Sequence, residues 1–292
     1  FAKSFGVWGF LFLERFMMQY VIVGAGPSGV TAAETLRKVD PESTVTLIDG
    51  EKEPPYGRMA IPYFLIGKVP EEGVYLRKGD NHFENLGINY VQAKAKGVSH
   101  DDNTLSLDNG ETISFDKMLV ATGSRPIKPP IEGLDRPNIH HCWTLEDARN
   151  IAAITGEGVD VVLMGAGFIG CIIMEALALS GANLTVVEAE DRMVPRMMDQ
   201  NAGNMIKDWC IEKGVNVLTS ARVNSVDEVE GKLSVNVDNG DVIKADLVVV
   251  ATGVRPNADF LEGSGVEIEA GIKVDNNLRS SVDNIFAAGD VA

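Results

Sequence analysis

Two copies of one glycine pattern constrain this chain more than any other feature. The first is Gly24-Ala25-Gly26-Pro27-Ser28-Gly29, preceded by the apolar stretch Tyr20 to Val23. The second is Gly165-Ala166-Gly167-Phe168-Ile169-Gly170, preceded by Val161 to Met164. Each apolar stretch reads as a buried parallel strand. In such a pattern the first glycine permits a tight turn. The second lets backbone approach a diphosphate, and the third lets the following helix pack on the strand. The helices are expected to run to about Lys38 and about Ser180. Pro27 suits an early helical position, where its missing N–H costs nothing.

A second strand is predicted after each helix, and each ends in an acid. Thr44 to Ile48 leads to Asp49, twenty residues after Gly29, and Asn183 to Val187 leads to Glu188, eighteen after Gly170. A carboxylate at that distance accepts hydrogen bonds from an adenosine ribose. Glycines alone would also fit a doubly wound fold that binds nothing. Strand, helix and acid together point to two dinucleotide sites. Glu188 repels a 2′-phosphate and so favours NADH over NADPH, with Arg192 nearby acting the other way. Asp49 suits an unphosphorylated ribose such as that of FAD.

Composition excludes several other classes. Acids outnumber bases 42 to 26 in 292 residues, a net charge of −16 that disfavours nucleic-acid binding. Cys142, Cys171 and Cys210 form no close pair, and the four histidines show no metal-ligand spacing. Each cysteine reads as a small core residue, and His140-His141 as part of a connection between domains. Val7 to Leu13 is apolar but far short of the roughly 20 residues a membrane helix needs. Residues 1–17 read as a non-native or unstructured leader, with a short surface anchor as the rival. The far end stops at Ala292, directly after a strand and a Gly-Asp turn, so the sequence reads as cut at both ends.

Two further segments repeat. Asp116-Lys-Met-Leu-Val-Ala-Thr-Gly-Ser-Arg-Pro is echoed by Asp246-Leu-Val-Val-Val-Ala-Thr-Gly-Val-Arg-Pro-Asn. With the terminal Ile285-Phe-Ala-Ala-Gly-Asp, this order of motifs resembles the FAD-dependent pyridine nucleotide–disulfide oxidoreductase superfamily over residues 18–292. The resemblance implies an α/β chain of two Rossmann-like dinucleotide-binding domains, the NAD domain inserted into the FAD domain. The FAD domain would comprise 18–125 and 257–292, the NAD domain 126–256, and a C-terminal interface domain would be absent. The chain would cross between domains at Ala121, Thr122 and Gly123 and return near Gly253. Gly289 and Asp290 would hold the ribityl and pyrophosphate region of FAD, and Arg58 would contact FAD.

The implied activity passes hydride from NADH to FAD, then electrons to a small iron–sulfur or rubredoxin-like carrier or a small molecule. A cytoplasmic location and a homodimeric full-length parent are implied too. The chain as it stands is expected to bind FAD weakly and that parent firmly. Three positions depart from relatives. Met59 stands where disulfide-reducing members carry cysteine, Tyr63 where carrier-reducing members often carry lysine, and Ile172 where many carry glutamate. Glu175, one turn beyond Ile172, is expected at the surface or between domains. Met59 weighs against the alternative of a thiol-dependent disulfide reductase or NADH oxidase, because a thioether forms no thiolate. Ile172 leaves a non-catalytic nucleotide-binding sensor as a further alternative.

Overall fold

The computed structural model describes residues 17–79 and 81–292. The expected leader therefore lies, save for its last residue, outside the described residues. The chain is α/β, with two five-stranded parallel sheets. In the first, the order is Ile285–Ala287, Lys117–Val120, Gln19–Val23, Thr44–Asp49 and Ile88–Gln92. In the second it is Asn216–Leu218, Asn183–Val187, Asp160–Met164, Leu247–Val250 and Ile139–His140. Each has its glycine-turn strand in the middle, so both glycine turns sit where the strand order reverses. Open α/β sheets bind ligands at such points.

Side-chain alternation explains why both faces of each sheet are covered. Ile22, Val45 and Leu47 turn to one face, packing with Val30 and Ala33 of helix Pro27–Val39. Val21, Val23 and Ile48 turn to the other, against Leu105, Phe115, Leu261 and Val291. The second sheet repeats the arrangement. Val161, Leu163 and Val186 pack with helices Leu145–Ile154 and Phe168–Leu179. Val162, Met164 and Val187 pack on the antiparallel meander Val223–Val229, Lys232–Val237 and Val242–Ala245. Strand Leu247–Val250 is buried at all four positions, as expected of a parallel strand covered on both faces.

Two short antiparallel strands, Ser124–Pro126 and Val254–Pro256, carry the chain from one sheet to the other and back. Thr122 Oγ1 donates to the Asn257 carbonyl (2.7 Å), and Asn257 Nδ2 donates to that of Thr122 (3.0 Å). Arg125 donates to the Pro256 carbonyl and the Asn257 side chain and pairs with Asp259. The two passages are thus tied to each other.

Candidate functional site

At the first turn, Gly24 has φ +111°, and a Cβ there would stand 2.3 Å from the Ala121 carbonyl oxygen. Only glycine meets both conditions, and the turn holds strands Gln19–Val23 and Lys117–Val120 together at their ends. A Cβ on Gly29 would stand 1.8 Å from the Gly24 carbonyl oxygen, so the helix lies close on the turn. Gly26 differs: its surroundings are open for 4 Å. Ala25 is buried, Pro27 opens the helix, and Ser28 Oγ lies 2.8 Å from where a Cβ on Gly289 would stand. The Gly289 turn thus lies directly against this helix start.

The second turn repeats the first. Gly165 has φ +99°, with the Ala251 carbonyl oxygen 2.6 Å from its would-be Cβ. Gly170 lies against the Gly165 carbonyl, and Gly167 is open for 4 Å. Phe168 is exposed, while Ile169 packs partly into the core.

Among the four described helices of ten residues or more, capping separates these two from the other two. Helix Leu145–Ile154 has a full capping box from Thr144 and Asp147, and helix Gln200–Glu212 is capped by Asp199. The helices after the glycine turns, Pro27–Val39 and Phe168–Leu179, have no side-chain cap and no acid in their first turn. A helix start leaves backbone N–H groups and a partial positive charge to be met by something. Open glycines over uncapped helix starts form cradles suited to diphosphate.

A buried carboxylate stands at the end of the strand beside each turn-bearing strand. Asp49 is 6% exposed, accepting from Glu51 N (3.0 Å) and the Tyr90 hydroxyl (2.7 Å). Burial pushes its pKa up, and the two hydrogen bonds pull it back. Glu188 is also 6% exposed and reaches its own turn, accepting from Ala166 N (2.6 Å) and Glu190 N (2.8 Å). Carboxylate oxygens have further lone pairs, so both acids can still accept from ribose hydroxyls.

Arg58 sits in a built setting. It pairs with Glu51, and its guanidinium lies over the rings of Tyr56 (5.2 Å) and Trp143 (5.8 Å). Its Nε is buried with no hydrogen-bond partner, an unmet donor that a phosphate oxygen would satisfy. Trp143 Nε1 donates to the Ser124 carbonyl (3.0 Å), and Ser124 Oγ to Asp290 (3.4 Å). Tyr90, Glu51, Trp143 and Ser124 were not legible in the sequence. Thr122 and Gly123 lie at the outward passage and Gly253 at the return, where Ile127 N donates to the Gly253 carbonyl (2.9 Å). The open glycines, uncapped helix starts and buried acids fit an adenine dinucleotide at each turn, and the unmet Arg58 donor adds an anion-seeking group beside the first.

The thiols are insulated. Burial pushes Cys142 up to about 12 and Cys171 up to about 11, and raises Cys210. Met59 is 71% exposed, Glu175 is exposed and Tyr63 is exposed. His141 Nδ1 lies 3.2 Å from the Val250 carbonyl, and His140 pairs with Val249 as a strand residue. Among the described residues, no group of His, Cys, Asp and Glu could hold a metal, and no helix is long and apolar enough to cross a membrane.

Comparison with known proteins gives a coherent set. A family model described as pyridine nucleotide-disulphide oxidoreductase matches residues 18–292. The epsilon subunit of NADH-dependent phenylglyoxylate dehydrogenase from Aromatoleum evansii is 33% identical over 92% of this chain and 64% of its own length. Rhodocoxin reductase from Rhodococcus erythropolis is 31% identical over 94% of this chain and 65% of its own. The chain thus spans a little under two thirds of these relatives. The covalent complex of putidaredoxin reductase with putidaredoxin aligns with a TM-score of 0.89 and 25% identity, over 94% of this chain and 68% of that one.

Proposed function

This chain belongs to the pyridine nucleotide-disulphide oxidoreductase family, and from that premise we propose that it is an FAD-dependent NADH oxidoreductase serving a second electron acceptor. In this reading residues 18–125 and 257–292 take FAD, and 126–256 take NADH. The observation that carries it is the paired geometry: two uncapped helix starts, each over an open glycine and each with a buried acid at the end of the neighbouring strand. Asp49 and Glu188 accept from the two adenosine riboses. The first-turn N–H groups of helices Pro27–Val39 and Phe168–Leu179 face the diphosphates. Arg58, held by Glu51, adds a fixed cation on the FAD side. Bound FAD would supply a two-electron acceptor able to release electrons singly, and the protein's share is placement and electrostatics.

The choice of NADH rests on the surroundings of Glu188. Arg192, the cation best placed in sequence to take a 2′-phosphate, is committed elsewhere. It donates to the carbonyls of Met198 (2.9 Å) and Pro195 (3.1 Å) and pairs with Asp191 (2.7 Å). Glu188, Glu190 and Asp191 leave this corner negative, which favours a 2′-hydroxyl.

A small iron–sulfur carrier is the acceptor we favour. The names of rhodocoxin reductase and of the putidaredoxin complex support it, and the insulated thiols and exposed Met59 offer no dithiol route. Stopped-flow mixing of the FAD-loaded protein with NADH should bleach the flavin band, and a carrier protein should restore it. An FAD-loaded protein that NADH leaves unbleached would overturn the reading.

A further inference from the structure

The excursion between strands Thr44–Asp49 and Ile88–Gln92 leaves the first sheet and packs against the helices of the second. Tyr56, Ile61 and Val74 are buried there with Leu145, Ala148 and Ile151. Arg149, on helix Leu145–Ile154, grips this strap with both arms of its guanidinium. Nε and Nη2 donate to Glu71 (2.9 and 2.6 Å), and Nη1 and Nη2 donate to Glu53 (2.7 and 3.1 Å). A second polar path joins the start of the same helix to Asp49 and Arg58 through the strap. Leu145 N donates to the Tyr56 hydroxyl (3.3 Å), and that hydroxyl donates to Glu51 (2.6 Å). Glu51 in turn pairs with Arg58, and its N–H donates to Asp49.

We propose that Arg149 is a positioning residue for the flavin cofactor: standing against the second sheet, it holds the strap that presents Arg58 and Asp49 at the first. The inference rests on the functional reading above, which puts FAD at the first turn. Its chemistry is specific to arginine. Glu53 and Glu71 converge on one point in an already acidic chain, and without a cation they would repel and release the strap. A planar guanidinium can fork to both carboxylates at once, which an ammonium cannot. The Arg149 guanidinium also holds Glu71 below the usual carboxylate range.

Three variants test this: R149Q, R149K and the triple E53Q/E71Q/R149Q. For each, the FAD Kd is read from quenching of flavin fluorescence, the NADH Kd from NADH fluorescence on flavin-free protein, and the Tm from the apo form. R149Q should weaken FAD about tenfold, the order expected for a partly exposed, doubly forked pair. NADH affinity should stay within about twofold, although Arg149 stands on the NADH side. R149K should recover part of the FAD affinity. The triple variant should regain Tm, because the repulsion is gone, yet still bind FAD weakly because the tether is gone. FAD affinity that is unchanged in R149Q, that falls in step with NADH affinity, or that tracks Tm across the variants overturns the proposal. Failure of the unaltered chain to take up FAD would instead bring down the functional reading, and this inference with it.

Discussion

The two kinds of glycine in the second turn should respond oppositely to the same added methyl group. Gly167 has φ −71° and ψ −173°, an extended backbone any residue adopts, with nothing within 4 Å of a would-be Cβ. Gly167→Ala therefore strains nothing and reduces the freedom of the unfolded chain, a gain of about 0.4–1 kcal/mol. In a chain this size that raises the apo Tm by about 1–3 °C. The same methyl fills the space a diphosphate must enter. Losing two charge-assisted hydrogen bonds from the helix start costs at least about 3 kcal/mol, more than about a hundredfold in NADH Kd. Gly165→Ala should do the reverse of the first effect. It forces φ +99° on an alanine whose Cβ would meet the Ala251 carbonyl oxygen at 2.6 Å, so the apo Tm should fall. Calorimetric melting and NADH titration of the two variants separate the cases. A Gly167→Ala protein that melts normally and binds NADH within about threefold of the parent would show that no diphosphate crosses this turn.

Three further outcomes can be measured independently. Glu188→Gln keeps the size but weakens acceptance from Ala166 N and Glu190 N, so NADH affinity should fall and discrimination against NADPH should narrow in competition titrations. Glu34 is held at about 2 by Arg77, with His82 helping. Its contribution is fully present above pH 4.5 and lost as pH falls toward 2, so Glu34→Gln should lower stability by about 1–2 kcal/mol at pH 7 and flatten acid unfolding in that window. With Cys142 pushed up to about 12 and Cys171 up to about 11, a thiol reagent at pH 8 should modify neither in the native protein, and both should react in denaturant.

The parts legible in the sequence were those fixed by short-range geometry. A strand, three glycines, a helix and an acid at the next strand end lie within about thirty residues, so spacing alone places Asp49 and Glu188 at the ends of the strands beside the two glycine turns. Met59 could likewise be read as a departure, because a single residue type rules out a thiolate. The strap could not be read this way. Residues 51–76 show neither alternation nor a helical period over any useful length, and their partners lie far away. Arg149 meets Glu71 across 78 positions and Glu53 across 96. Trp143 and Tyr90 were missed for a related reason. Trp143 becomes part of the Arg58 setting only when the strap folds over the second sheet. Tyr90 reaches Asp49 only through the register that sets Ile48 against Val91.

That register also shows why two similar turns differ in their acids. Glu188 is one methylene longer and bonds back to its own turn through Ala166 N. Its neighbouring strand offers only apolar side chains at the corresponding level, Val217 and Leu218 beside Val186 and Val187. Asp49 takes its second donor from the neighbouring strand, as the Tyr90 hydroxyl at 2.7 Å. Burial already raises the pKa of Asp49, and Tyr90 is the largest influence lowering it. Tyr90→Phe should therefore move it further up, and the ionised form that accepts from ribose would be lost at a higher pH. FAD affinity measured against pH should show its acid limb shifted upward in the variant, with the NADH limb unmoved. The stability sign follows the same logic. A raised carboxyl pKa means the folded state holds its proton longer than the unfolded chain, so stability declines as pH rises from the unfolded value through the folded one. Tyr90→Phe should widen that declining window. An FAD acid limb that stays in place would mean that Asp49 does not meet the cofactor as a carboxylate.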